Sequence, residues 1–244
     1  MGFVVEMLSS ALALSHQAPG DRSWILGPSG LVSSIGGAPV RLAVLSVLLV
    51  ALIASRRPKA ALFTLSVAAL VHVASRSIKA VSSTPRLPSP HRAYGLEPTA
   101  RSAIILCVLV AGAAVLTRRW RQAAVLVPAG YLALLAVDRL VRAIPVSDAQ
   151  DSLPSGHAAN TMAIALAFVA VRRVDGERSA VVIGAPIAAA LVGISRVTLG
   201  YHRVGEVLAG WLLAGAATLV LHAVIRPDPP MPLEFDERTS LGST

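Results

Sequence analysis

Two short stretches of this sequence set acid–base and nucleophilic side chains at the mouths of apolar helices. The first is Pro154-Ser155-Gly156-His157, which opens an apolar run that ends at Arg172-Arg173. Pro and Gly fix a turn, and the free amides at the start of the following helix can cradle an anion. Ser155 adds a hydroxyl donor, and His157 can give a proton to a leaving group. Taken alone, the phrase reads equally well as a helix N-cap beside a satisfied histidine.

The second stretch is SRVTLGYHRVGE, residues 195–206. Glu206 follows His202 by four residues, so its carboxylate shares a helical face with the imidazole. A carboxylate on one ring nitrogen leaves the other deprotonated and aimed, as a histidine nucleophile or base requires. Arg196 offers a planar fork suited to phosphate oxygens. By itself this segment also reads as polar residues snorkelling at a membrane interface.

In this order and spacing the two segments together resemble the type-2 phosphatidic acid phosphatase family. Its members are membrane lipid phosphatases and phosphotransferases, with soluble vanadium haloperoxidases as relatives. The resemblance is clear over about 140–220 and extends elsewhere only as a helical bundle. It implies that His202 attacks phosphorus to form a phosphohistidine and that His157 protonates the departing oxygen. It also implies that Arg196, Ser155 and the Gly156 amide hold the phosphoryl oxygens, with no metal and no cofactor.

Two departures from the family pattern stand out. Glu206 occupies a place where the family usually has Asp, one methylene shorter. The first family motif, Lys, six residues, then Arg-Pro, is missing from its expected place, which reads VDRLVRAIPVSDAQDSLPSGH. There Arg139 and Arg142, three apart on a helix end, are the preferred replacement for the phosphate clamp, unless Asp138 neutralises one of them. The alternative is an echo of the motif upstream, Lys79, six residues, Arg86, then Leu87-Pro88, reaching over the site as a lid from the long connection 76–101.

A near-copy of the first phrase, LPSPHRAY at 87–94, lacks the features that matter. Pro90 stands where Gly would let amides approach a phosphate, and proline has no amide hydrogen. His91 therefore reads as a loop or lid residue, and His72, in mid-span with no charged partner, as a satisfied core histidine.

The elements that must position these groups are apolar runs. The 244 residues are 55% hydrophobic and 14% charged, with a mean hydropathy of +0.68. Soluble domains carry roughly 25% charged residues, so this chain cannot cover a water-facing surface and reads as an integral membrane protein. The runs fall at about 40–55, 60–75, 103–117, 123–137, 158–171, 180–194 and 207–225. Several are shorter than the roughly 20 residues that a hydrocarbon core needs, until flanking small and snorkelling residues are added. The expected fold is all-α: a polytopic transmembrane bundle of about six core spans with an extra N-terminal span or interfacial helix.

Residues 1–39 read as an N-terminal amphipathic or interfacial segment, 40–226 as the transmembrane phosphatase domain, and 227–244 as a mobile tail. The net charge of +9 lies mostly in Arg at the ends of apolar runs, which points to membrane anchoring and not to nucleic acid. Cys107 is alone, which excludes an internal disulfide and a cysteine metal cluster. Short Arg-rich loops at 56–59, 118–121 and 172–178 belong on the cytoplasmic side by loop length, which puts the two motifs on the other side. The expectation is a cell-membrane enzyme, multi-pass and bacterial, whose extracytoplasmic site takes a lipid phosphate or polyprenyl (pyro)phosphate from the bilayer. Transfer of the phosphoryl group to another acceptor, and a non-catalytic lipid-binding role, remain as alternatives.

Overall fold

The computed structural model describes residues 23–82, 105, 108, 120–143, 153–174 and 180–227. Residues 228–244 of the expected tail 227–244, the lid residues Arg86 and His91, Cys107 and most of the run 103–117 lie outside the described residues, as do residues 1–22 of the N-terminal segment. Seven helices are described: α1 Ser23–Ile35, α2 Ala38–Ala54, α3 Pro58–Val81, α4 Trp120–Arg142, α5 Gly156–Val174, α6 Ala180–Thr198 and α7 Val204–Ile225. Among the described residues there is no strand, and the architecture is all-helical.

The helix starts follow from local sequence. Pro39 and Pro58 stand in the first turns of α2 and α3, where a missing amide hydrogen costs nothing. Helix α6 gives way to α7 through a five-residue turn at 199–203. Its Gly200 adopts φ 69°, a left-handed conformation open to glycine at little cost.

Helix α5 is the centre of the bundle and packs on α3, α6 and α7. Its small residues Ala159, Ala163 and Ala167 are buried against Phe63, Val67 and Val71 of α3 and Ala214 and Ala217 of α7. Small side chains let helix backbones approach closely where burial in lipid provides no hydrophobic drive. At the tightest point, a Cβ on Gly210 of α7 would lie 3.0 Å from both the Ala159 amide nitrogen and the Ser155 carbonyl oxygen. Helix α4 lies against α2, where the Ser46 hydroxyl donates to the Val127 carbonyl at 2.6 Å.

Two helices, α3 and α7, are long and apolar enough to cross a membrane, and α1 with α2, bent by 48°, passes as a third, broken span. The expected count of about six is thus met only in part among the described residues. Helix α6 is apolar but shorter, its described apolar part being Val182–Thr198, and α5 holds Asn160 and Thr161 and closes on Arg172-Arg173.

Two readings need correction. His72 does have a charged partner: its Nε2 lies 3.3 Å from Asp138 Oδ1, because α4 brings that carboxylate against α3. Lys79 does not sit in a loop, because α3 runs past the expected end at 75 and holds it in its last turn.

Candidate active site

Four helix ends meet at one end of the bundle. The Ser82 hydroxyl, just past α3, donates to the Leu153 carbonyl at 3.4 Å. The Ser155 amide donates to the Glu206 carbonyl at 2.9 Å, which ties the entry to α5 to the first turn of α7. The His202 amide donates to the Arg196 carbonyl at 3.2 Å across the α6–α7 turn. These bonds bring Lys79, Ser155, Arg196 and His202 into one neighbourhood. Helices α5 and α7 point their positive ends here, while α3 and α6 carry Lys79 and Arg196 in their last turns.

His202 and Glu206 are both buried, and Nδ1 of the imidazole lies 2.8 Å from Oε2 of the carboxylate. A carboxylate only accepts, so Nδ1 carries the hydrogen and Nε2 keeps its lone pair. The Arg203 amide also donates to Oε2 at 3.2 Å, and the Arg203 guanidinium lies 3.6 Å from Oε1. Glu206 is thereby fixed on both sides. Burial holds the His202 imidazole below its ordinary range. The hydrogen bond with Glu206 opposes that, while the cation of Arg196 and, more weakly, that of Lys79 push it down again. The pair is therefore set to present a neutral ring with one free nitrogen.

Arg196 is positioned from two directions. Its guanidinium donates to the Ser33 hydroxyl of α1 at 2.7 Å and lies 3.9 Å above the centre of the Tyr201 ring. Ser33 and Tyr201 are not evident in the sequence as parts of a site, since one is remote in the chain and the other looks like a turn residue. Ser155 is wholly buried, and its hydroxyl has no hydrogen-bond partner among the described residues. An unpartnered hydroxyl at the start of α5 is a place for an acceptor such as a phosphoryl oxygen. Gly156 and His157 follow in the first turn of α5, half-buried, and the Thr161 hydroxyl donates to the His157 carbonyl at 2.7 Å.

The cations proposed from sequence separate. Lys79 is buried and near enough to His202 to act on its charge, whereas Arg139 is exposed on α4. The side chain of Arg142 and all of Arg86 lie outside the described residues.

The chain matches the model of the PAP2 superfamily over residues 78–228 and belongs to that family. Members of this family are generally phosphatases, and the apolar helices fit a membrane member of it. No curated protein and no solved structure matched the chain.

Proposed function

We propose that this protein is an integral membrane phosphatase that hydrolyses a lipid phosphate or polyprenyl (pyro)phosphate through a phosphohistidine at His202. The observation that carries the reading is the buried His202–Glu206 pair at 2.8 Å, with Arg196 and the unpartnered Ser155 hydroxyl on adjoining helix ends.

The neutral Nε2 of His202 attacks phosphorus as the bond to the lipid oxygen breaks. His157 gives its proton to that oxygen, and the lipid leaves as an alcohol or a shorter phosphate. Water then attacks the phosphohistidine, His157 takes the proton back, and phosphate departs. Arg196, Lys79, Ser155 and the Gly156 amide hold the equatorial oxygens as charge moves onto them. Lys79 takes the clamp role in preference to Arg139 and Arg142. Its support is its burial, its influence on His202 and the start of the family match at residue 78.

A phosphate ester at the ends of apolar helices lets the hydrocarbon tail stay in the bilayer while the reacting group meets water. Loop lengths support an extracytoplasmic site and several membrane passes. Purified protein tested on a panel of lipid phosphates, with and without chelator, checks the reading. Phosphate release that disappears in His202→Ala is the expected result. Release that persists at the wild-type rate in both His202→Ala and His157→Ala defeats it.

A further inference from the structure

Beside the site, helices α1, α2, α5 and α6 enclose a cavity of about 560 Å³ whose walls are almost wholly apolar. From the site side it begins one turn below the chemistry. Val32 adjoins Ser33, the acceptor of the Arg196 guanidinium; Val192 stands one turn before Arg196; and Thr161 holds the His157 carbonyl. From there it follows α2 from Val40 to Ala51. That is about 16 Å at 1.5 Å per residue, or half of a hydrocarbon core roughly 30 Å thick. Among the lining residues the one charged side chain is Arg41, near the end that adjoins the site. Two wall residues, Ile35 and Val44, are 43% and 42% exposed, so the cavity opens sideways.

We infer that this cavity is the seat of the substrate's hydrocarbon tail, so that α1 and α2 select the lipid while α3, α5, α6 and α7 carry the reacting groups. A cavity one leaflet deep, open to the side and ending about one helical turn from the proposed phosphate-binding groups, fits a single long alkyl or prenyl chain. A chain entering sideways leaves bulk lipid without crossing water, and its phosphate end arrives beside Arg196 and Ser155. The inference rests on the proposed phosphatase reading only for which end of the lipid lies where.

The test uses the full chain in phosphatidylcholine nanodiscs with a lipid phosphate bearing a photoactivatable diazirine midway along a long saturated tail. After irradiation, labelled peptides are mapped in the wild type and in His202→Ala. Labelling concentrated in 40–51, 161–168 and 185–192, and competed by unlabelled lipid phosphate, is expected in both proteins. Labelling spread over the exposed face of α7, around Leu212 and Leu219, or indifferent to the competitor as bulk lipid would be, overturns the inference. Because this readout needs no turnover, labelling in the cavity with no phosphate release overturns the phosphatase reading alone. A second measurement compares Ala51→Trp and Ala188→Trp on two substrates. KM for the long-chain lipid phosphate should rise about tenfold or more, while that for a short soluble alkyl phosphate stays unchanged. Equal changes for both substrates, or none for either, also overturn it.

Discussion

The backbone amide of Ser155 donates to the carbonyl of Glu206 at 2.9 Å, so the loop that opens α5 is hung on the same turn of α7 that carries the imidazole's carboxylate partner. One backbone contact thus joins the proposed anion seat to the proposed nucleophile. It also couples their positions: a shift of α7 moves both.

Gly210 guards that coupling, because a Cβ there would meet the backbone of Ser155 and Ala159 at 3.0 Å, and backbone cannot swing aside. Gly210→Ala should cost about 1–3 kcal/mol by overpacking and lower phosphate release more than protein recovery. Gly215, on the same helix, has nothing within 4 Å of the corresponding point. Gly215→Ala should leave both thermal unfolding in detergent and release at or above wild type. Equal behaviour of the two variants would contradict the packing argument.

The pH dependence follows from the burial of His202. Its protonated ring has no lone pair for attack, and its folded pKa is depressed below 6.5. The neutral form therefore persists to lower pH than for a free imidazole. The acid limb of kcat/KM for wild type should fall below pH 6.5. Removing a cation that disfavours the imidazolium raises the pKa, so Lys79→Met should move that limb toward higher pH. An unmoved limb in this variant would place Lys79 away from the nucleophile.

The clamp assignment separates two sets of residues by rate. Lys79→Met should reduce kcat/KM on the order of 10²-fold, as expected for a lost donor to the transition-state oxygens. Arg139→Ala, at an exposed position on α4, should stay within about twofold of wild type. The reverse ranking, read in steady-state phosphate release, would restore the Arg139 and Arg142 clamp.

Arg196 should depend on Ser33 and Tyr201. Ser33→Ala removes one acceptor of the guanidinium, and Tyr201→Leu removes the ring beneath it. Each is expected to weaken inhibition by orthovanadate, a mimic of the transferring phosphoryl group, by roughly fivefold to tenfold, equal to about 1–1.4 kcal/mol. Unfolding temperature should change little. Vanadate inhibition equal to wild type in both would show that Arg196 needs neither.

Much of this was legible in the sequence where the signal is local. The His202–Glu206 spacing is a four-residue helical relation, and the structure joins the two side chains. The all-helical class follows from the apolar runs. Lys79 was harder to place, because Ser75, Arg76 and Ser77 interrupt the apolar pattern and suggest that the span has ended. The helix continues, with Ser75 returning its hydroxyl to the His72 carbonyl at 2.9 Å and Lys79 completing the last turn. Ser33 and the Asp138 partner of His72 were not legible at all. Both are contacts between helices distant in the chain, and no periodicity encodes which helices become neighbours.

The hydrogen bond from Arg196 to Ser33 crosses a boundary of another kind. Arg196 lies inside the region shared with the family, 78–228, and Ser33 lies upstream of it. The proposed phosphate clamp is then steadied from a helix upstream of the matched region. Mutations in α1 are expected to retune the proposed activity while every motif residue stays in place. A search for functional variation confined to the motif residues would pass over that helix.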